Sequence, residues 1–361
     1  MPTQEMLLEI GERIDSLITL DVPSRGAIKN LYPYARKKAG KPLALAAAQA
    51  LCESVKEKGV VFIATGWPDR PHINPEIAET DGPPGAAALA RALHRGLKAV
   101  PIIFIEENLV EKMAIVLEAV GLRVLSPEEA IAAASSHAPI HAASVLGFPT
   151  DREEAKERAK ELVEKYSPRA VVAIEKGGMN DKGYIHTSRG AETTKDMAKA
   201  DYLFLEAIEK GITTIGIGDG GNEIGMGFIK KELREILPYG KKCLCGCGGG
   251  IVPDTVTDVL VTAVISNWGA YGVVACLAAI LERIDLLHSS QLEQRVLWRS
   301  SDARFIDGIT GFVEPGADGI PARINMAYLD LMAETVIQAL RYAGKKGLLN
   351  KGARYLKIPV E

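Results

Sequence analysis

Short apolar runs punctuate this chain, each bounded by glycine, proline or charge, and stretches of helical periodicity lie between them. Residues 60–64, 99–105, 170–174, 213–217 and 259–264 are mostly apolar or β-branched, the pattern of strands buried on both faces. Residues 85–95, 109–120, 152–166 and 195–210 read as helices, the third with a solvated face rich in Glu and Lys. At the N-terminus Met6, Leu7, Ile10, Ile14, Leu17 and Ile18 recur at helical spacing, which predicts an amphipathic helix within a helical segment 1–58. Strands alternating with helices of this length predict βαβ units. The expected fold class is α/β: a doubly wound, mostly parallel sheet with helices on both faces, a Rossmann-like three-layer arrangement. One large domain is expected over residues 1–361, with a subdomain boundary near 135–150, where Ala, Ser, His and Pro cluster.

One stretch raises the question of a membrane. Residues 259–281 carry no charge and reach the length of a bilayer span. Their middle, Ser266-Asn267-Trp268-Gly269-Ala270-Tyr271-Gly272, is polar, with a β-branched run before it and an Ala-rich one after. A buried strand, a polar turn and a buried helix account for this pattern, and no membrane partner is expected.

Composition narrows the function classes. The chain has 361 residues, 47% of them apolar, with 43 Lys plus Arg against 46 Asp plus Glu and a formal charge of −3. It therefore lacks the bulk positive field of a dedicated nucleic-acid binder, and no nucleic-acid partner is expected. Glu5, Glu9, Glu12 and Asp15 make the start acidic, unlike a secretory or mitochondrial leader, so the cytoplasm is the expected location. Five cysteines do not form a disulfide framework.

Ligands of open parallel sheets bind beyond the carboxyl ends of the strands, so the residues after each strand carry the search. The densest signal is Gly216-Ile217-Gly218-Asp219-Gly220-Gly221-Asn222-Glu223-Ile224-Gly225-Met226-Gly227. It matches a dinucleotide fingerprint formally, but Asp219 and Glu223 would place carboxylates where a pyrophosphate must sit, so NAD is not expected. Glycines around Asp219, Asn222 and Glu223 suit a tight loop that presents oxygen ligands to a hard cation or an amino group. A second acidic turn, Glu79-Thr80-Asp81-Gly82-Pro83-Pro84-Gly85, lies downstream of Thr65-Gly66 at the end of the first strand. A third cluster, Glu175-Lys176-Gly177-Gly178 followed by Tyr184, His186 and Arg189, brings a residue suited to proton transfer near neutrality. Asp307 and Asp318 sit in later turns and either reach the cleft or shape loops. Cys243, Cys245 and Cys247 lack the second cysteine pair of a zinc loop, so metal–thiolate chemistry is the weaker reading there. Cys52 and Cys276, in apolar helices, read as core thiols.

Together these strings, with Ser266-Asn267-Trp268-Gly269 and Asp307-Gly308-Ile309-Thr310-Gly311, resemble the C-terminal domain of the D-glutamate cyclase family. The resemblance covers most of the chain, from the first helix to about Pro321, with the motifs in the same order. It implies an α/β fold and conversion of D-glutamate to 5-oxo-D-proline with loss of water, with neither NAD nor PLP. In animal members a separate hydro-lyase-like domain precedes this one. The family pattern Tyr-Tyr-Asn or Tyr-His-Asn before the arginine reads Tyr184-Ile185-His186-Thr187-Ser188-Arg189 here.

For such a reaction on a small acidic amino acid, a divalent cation (Mg or Mn) would be held by Asp219, Glu223, Asp81 and Glu79 and would polarise the reacting carboxylate. His186 or a carboxylate would take the ammonium proton, and Lys176 or Arg189 would hold the α-carboxylate. Asp219, Glu223, His186 and Lys176 are thus the catalytic candidates. Thr65, Gly66, Arg189, Asn222 and Asn267 are the substrate-binding candidates. Two alternatives stand beside this reading: a non-catalytic nucleotide or phosphate binder using the Gly218 to Gly227 amides as a nest, and an enzyme on another small amino or hydroxy acid. A homodimer is the default expectation.

Overall fold

The computed structural model describes residues 2–137 and 140–342. Its strands are β1 (Val60–Thr65), β2 (Val100–Glu106), β3 (Arg123–Val124), β4 (Ala142–Phe148), β5 (Ala170–Ile174), β6 (Thr213–Gly218) and β7 (Val259–Thr262). They form a seven-stranded sheet in the order β3-β4-β2-β1-β5-β6-β7, with every pair parallel. In β1, Val61 pairs with Pro101 on one side and with Ala170 on the other. Side chains alternate across the sheet. Val61, Ile63, Ile103, Ile105, Val172 and Ile174 enter one core, while Phe62, Ala64, Ile102, Phe104, Val171 and Ala173 enter the other. With both faces covered few positions are left for polar side chains, such as Ser144 in β4 and Thr214 in β6, and that produces the long apolar runs.

The first six helices are α1 (Gln4–Ile18), α2 (Ile28–Ala39), α3 (Leu43–Ser54), α4 (Pro83–Leu97), α5 (Val110–Ala119) and α6 (Pro127–Ala134). Then follow α7 (Arg152–Tyr166), α8 (Asp201–Glu209), α9 (Lys230–Ile236), α10 (Ser266–Ile280), α11 (Ser290–Asp302) and α12 (Ala322–Tyr342). Helices α1, α3, α4 and α10 supply the first core, and α6, α7 and α8 the second. The amphipathic first helix forms as its pattern predicts, with Leu7, Ile10, Ile14 and Ile18 buried. Asp15, on the same helix, is buried as well, where it accepts hydrogen bonds from the Leu43 and Ala44 N–H groups at the start of α3.

Residues 142–148, inside the stretch expected to hold a subdomain boundary, form β4, which pairs with both β3 and β2; positions 138 and 139 of that stretch lie outside the described residues. Its Ala-Ala-Ser start is a weak strand signal, which tertiary pairing overrides. The helix expected over 195–210 begins only at Asp201, after a single 3₁₀ turn at Thr194–Asp196. The residues read as a polar turn, 266–272, are the first two turns of α10, buried throughout. No helix among the described residues is long and apolar enough to cross a membrane.

The chain leaves β1 for β2 on one side, while β5 lies on the other, so the strand order reverses between β1 and β5. Loops that leave neighbouring parallel strands in opposite directions open a crevice at such a point. The segments after β1, β5, β6 and β7 all meet there. A small antiparallel hairpin, β8 (Gly316–Ala317) and β9 (Ile320–Pro321), carries Asp318 in its turn and reaches the same rim.

Candidate active site

Three acidic residues from separate segments converge at this crevice. Asp81 lies just before α4, Glu175 directly follows β5, and Asp219 directly follows β6. One carboxylate oxygen from each lies within 4.8 Å of the others. Asp81 accepts hydrogen bonds from the N–H groups of Ser266 (2.9 Å) and Asn267 (2.8 Å), so it sits on the positive end of α10. Glu175 adopts a left-handed backbone (φ 47°) and accepts from the Ser266 hydroxyl at 2.5 Å. That conformation costs about 1 kcal/mol or more for a residue with a Cβ, and it is held by the surrounding packing. Gly82, at φ 102°, brings the acidic turn close: a Cβ there would lie 2.7 Å from the Thr65 hydroxyl oxygen and 2.9 Å from Glu175 Cβ. We expect Gly82→Ala to destabilise the fold by about 2 kcal/mol, measured by urea unfolding.

Arg25 closes the rim from the N-terminal segment. Its guanidinium bonds Asp219 at 2.9 Å and Asp318 at 2.7 Å, and it also donates to the Val264 carbonyl. The cavity beside these residues measures about 500 Å³; Arg25, Glu79, Glu175, Arg189, Asp219 and Asp318 are among its walls. Burial and like charge together dominate its electrostatics. Burial, then the neighbouring Asp318, raises the Asp81 carboxyl to about 8, against the pull of the Asn267 and Ser266 N–H groups and Arg25. Glu175 is pushed well up by burial and then by Asp219, Glu223, Asp81 and Glu79. Asp219 is raised by burial and Asp318, with Arg25 opposing. Glu79 is raised by burial and then by Asp318, Asp69 and Asp81. Such a chamber holds protons near neutral pH unless a cation replaces them.

The sequence-derived candidates divide accordingly. Asp219, Glu79, Asn222 and Arg189 line the cavity, and Asp81 meets it through its cluster with Glu175 and Asp219. Glu223 lines it too, but its carboxylate is already used: Oε1 accepts from the N–H groups of Asp219 and Gly220, and Oε2 from those of Gly221 and Asn222. It folds the glycine-rich loop instead of standing free as a ligand, and it fills the amide nest that a phosphate would need. Glu223→Gln would turn a donor toward this ring of N–H groups, with an expected loss of about 2–3 kcal/mol in urea unfolding.

Lys176 is turned away from the cavity, fully buried, donating to Glu106 at 2.5 Å and to the Gly66 carbonyl at 3.0 Å. It ties the ends of β1, β2 and β5 together, so the expectation that it holds substrate is corrected. The Asn267 side chain accepts from the N–H groups of Gly82 (3.0 Å) and Gly85 (2.8 Å), capping α4, and is not among the cavity walls. Thr65 and Gly66 lie beneath the acidic turn; Thr65 is buried, and a Cβ on Gly66 would lie 2.7 Å from Ile105. His186 is buried with its Nε2 3.2 Å from Cys245 Sγ, which places the imidazole at the cysteines and not among the carboxylates. Glu175 was visible in the sequence as an acid at a strand end. Arg25 carried no signal, because nothing local marks a charge that meets Asp219 across 194 positions.

Comparison with known proteins gives the family of the chain. The family model described as D-glutamate cyclase-like, C-terminal, matches residues 14–333. The human protein named D-glutamate cyclase, mitochondrial, is 34% identical over 242 residues, which is 65% of this chain and 35% of that protein. The alignment thus spans about a third of the relative's own length. A family match that runs from within α1 into α12 takes in every strand of the sheet and every acid of the chamber, and the chain therefore belongs to the D-glutamate cyclase-like C-terminal family.

Proposed function

We propose that the acidic chamber is the active site of a lyase that cyclises a small acidic amino acid, with D-glutamate as substrate and 5-oxo-D-proline and water as products. The observation that carries this reading is the convergence of Asp81, Glu175 and Asp219 within 4.8 Å at the strand-order reversal. The donor set suits a hard divalent cation, Mg or Mn, which takes oxygen ligands. A substrate with two carboxylates would be repelled by this chamber alone. A divalent cation bound there would offset that repulsion and polarise the γ-carboxylate.

The chain's own residues supply the rest. Arg189 lines the cavity and offers a charged fork for the α-carboxylate. Ring closure joins the α-nitrogen to the γ-carbon and breaks one γ C–O bond. The ammonium gives up two protons and the departing oxygen leaves as water, so no net proton is taken up. Glu79, which lines the cavity outside the Asp81, Glu175 and Asp219 set, is raised by burial and then by Asp318, Asp69 and Asp81, and suits relay of those protons. Because the reaction is intramolecular, the cavity's main task is to hold the folded conformer.

Incubation of the purified chain with D- or L-glutamate and Mg or Mn, followed by mass spectrometry, tests the reading. Loss of one water from D-glutamate supports it; an unchanged substrate mass under every metal condition rejects it. A cytoplasmic location remains our proposal beside a relative named as mitochondrial, and cell fractionation decides between them.

A pH dependence follows from the raised carboxyls. Each binds its proton more tightly in the fold than in the unfolded chain. Their contribution therefore lowers stability as pH rises from the ordinary carboxylate range through about 8, the value for Asp81. Cation binding removes those protons. The melting-temperature gain from Mg or Mn is accordingly expected to grow between about pH 6 and about pH 8. A gain that shrinks over that range would contradict it.

A further inference from the structure

We propose that His186, Cys243, Cys245 and Cys247 form a structural zinc site that pins the wall of the cavity. Their four donor atoms all lie within 4.8 Å of one another. Cys243 Sγ is 3.4 Å from Cys245 Sγ and 3.2 Å from Cys247 Sγ, while His186 Nε2 is 3.2 Å from Cys245 Sγ and 3.8 Å from Cys247 Sγ. A tetrahedral centre with zinc–sulfur bonds of about 2.3 Å separates its sulfurs by roughly 3.8 Å, so this cluster matches the size of such a shell. One histidine and three cysteines complete four-coordination with protein atoms alone, the arrangement of closed, non-catalytic zinc sites.

The backbone is built for this convergence. Gly246 and Gly248, between and after the last two cysteines, have φ of 85° and 77°. A Cβ at either would meet nothing within 4 Å, so packing does not require glycine there, whereas the reversals of the chain do. Two donors point at Cys247 Sγ: the Gly249 N–H at 3.4 Å and the Asn180 side-chain amide at 3.5 Å. Donors of this kind surround metal-bound thiolates and orient them. Core packing accounts for the buried Cys243 alone, because Cys245 is exposed and Cys247 half-buried, unlike Cys276 inside α10. A disulfide would use two sulfurs and leave the third and the imidazole unexplained.

The position matters to the neighbouring cavity. His186 comes just before Thr187, Ser188 and Arg189, which line it, and the His186 carbonyl accepts from the Asn222 side chain at 2.9 Å. Zinc at this site would tie the loop after β5 to the loop after α9, fixing Arg189 relative to the acidic turn. This inference is independent of the cyclase reading.

The full chain, expressed with zinc and purified without chelator, is expected to hold one zinc per molecule by elemental analysis. A mercurial that titrates thiols should release it. Cobalt(II) in its place should show the strong visible bands and thiolate-to-metal charge transfer of a tetrahedral thiolate centre. Cys243→Ser and His186→Gln should each lose the metal, while Cys276→Ser and Asp219→Asn should keep it. If the cysteine variant does not fold, the cobalt spectrum of the parent chain still decides. Zinc far below one equivalent with no charge-transfer band, retention of zinc by Cys243→Ser, or an unreduced mass showing two hydrogens lost to a disulfide would each overturn the proposal.

Discussion

Replacing Asp219 with asparagine is expected to slow the proposed cyclisation of D-glutamate by about 10³-fold, roughly 4 kcal/mol of lost transition-state stabilisation. The substitution is close to isosteric and keeps an oxygen that can accept from Arg25, now 2.9 Å away. What it removes is a negative charge from a crowded, buried chamber. Asp219 is one of the neighbours that push Glu175 up, so its neutralisation relieves repulsion there. The melting temperature should stay level or rise while activity falls, and the gain in melting temperature from added Mg or Mn should disappear. This opposite movement of stability and activity marks a functional charge, since a structural one would lower both. Parent-level turnover by a correctly folded Asp219→Asn chain would remove the acidic chamber from the mechanism.

The largest stability effect belongs to Lys176, which its place after a strand marks as a catalytic or substrate-holding candidate. Lys176 and Glu106 form an ion pair with side-chain exposures of 1% and 2%, and the lysine also donates to the Gly66 carbonyl. Glu106 accepts as well from the Ala198 N–H at 2.9 Å. Lys176→Met would leave the buried Glu106 carboxyl without its partner in a dry site, a change that costs about 3–5 kcal/mol. A double change, Lys176→Met with Glu106→Gln, removes both charges and is expected to recover more than half of that loss. Urea unfolding of the two variants measures the difference. Equal destabilisation in both would show that lost packing, not the stranded carboxylate, is responsible. The activity of the single variant per folded molecule should stay near the parent's, because Lys176 does not line the cavity.

These two residues show how far the chain could be read. Both Asp219 and Lys176 follow a strand that a run of apolar residues announced, and both therefore stand at the carboxyl rim. Position along the strand placed them at the right end of the sheet. It did not say which way each side chain turns. Asp219 faces the cavity and meets Arg25, whereas Lys176 turns inward to Glu106. Glu223 makes the same point: an acid in a glycine-rich loop signals a ligand, but here the loop's own N–H groups consume it. Cys243, Cys245 and Cys247 carried too short a spacing pattern to suggest a fourth donor 57 or more positions away. The structure supplies one in His186, whose Nε2 lies 59 positions before the Cys245 sulfur.

By itself the order of residues determined the parallel α/β architecture, five of the strands close to their limits, the rim where chemistry gathers and the family strings. Those properties depend on local periodicity and on chain direction, which a one-dimensional pattern carries in full. Only the tertiary structure decided which acids stand free and which are bonded, that Arg25 rather than Lys176 meets the chamber, and that a histidine joins three cysteines. Such pairings depend on side-chain direction and on contacts between distant segments, where the low dielectric of the interior makes each partner decisive.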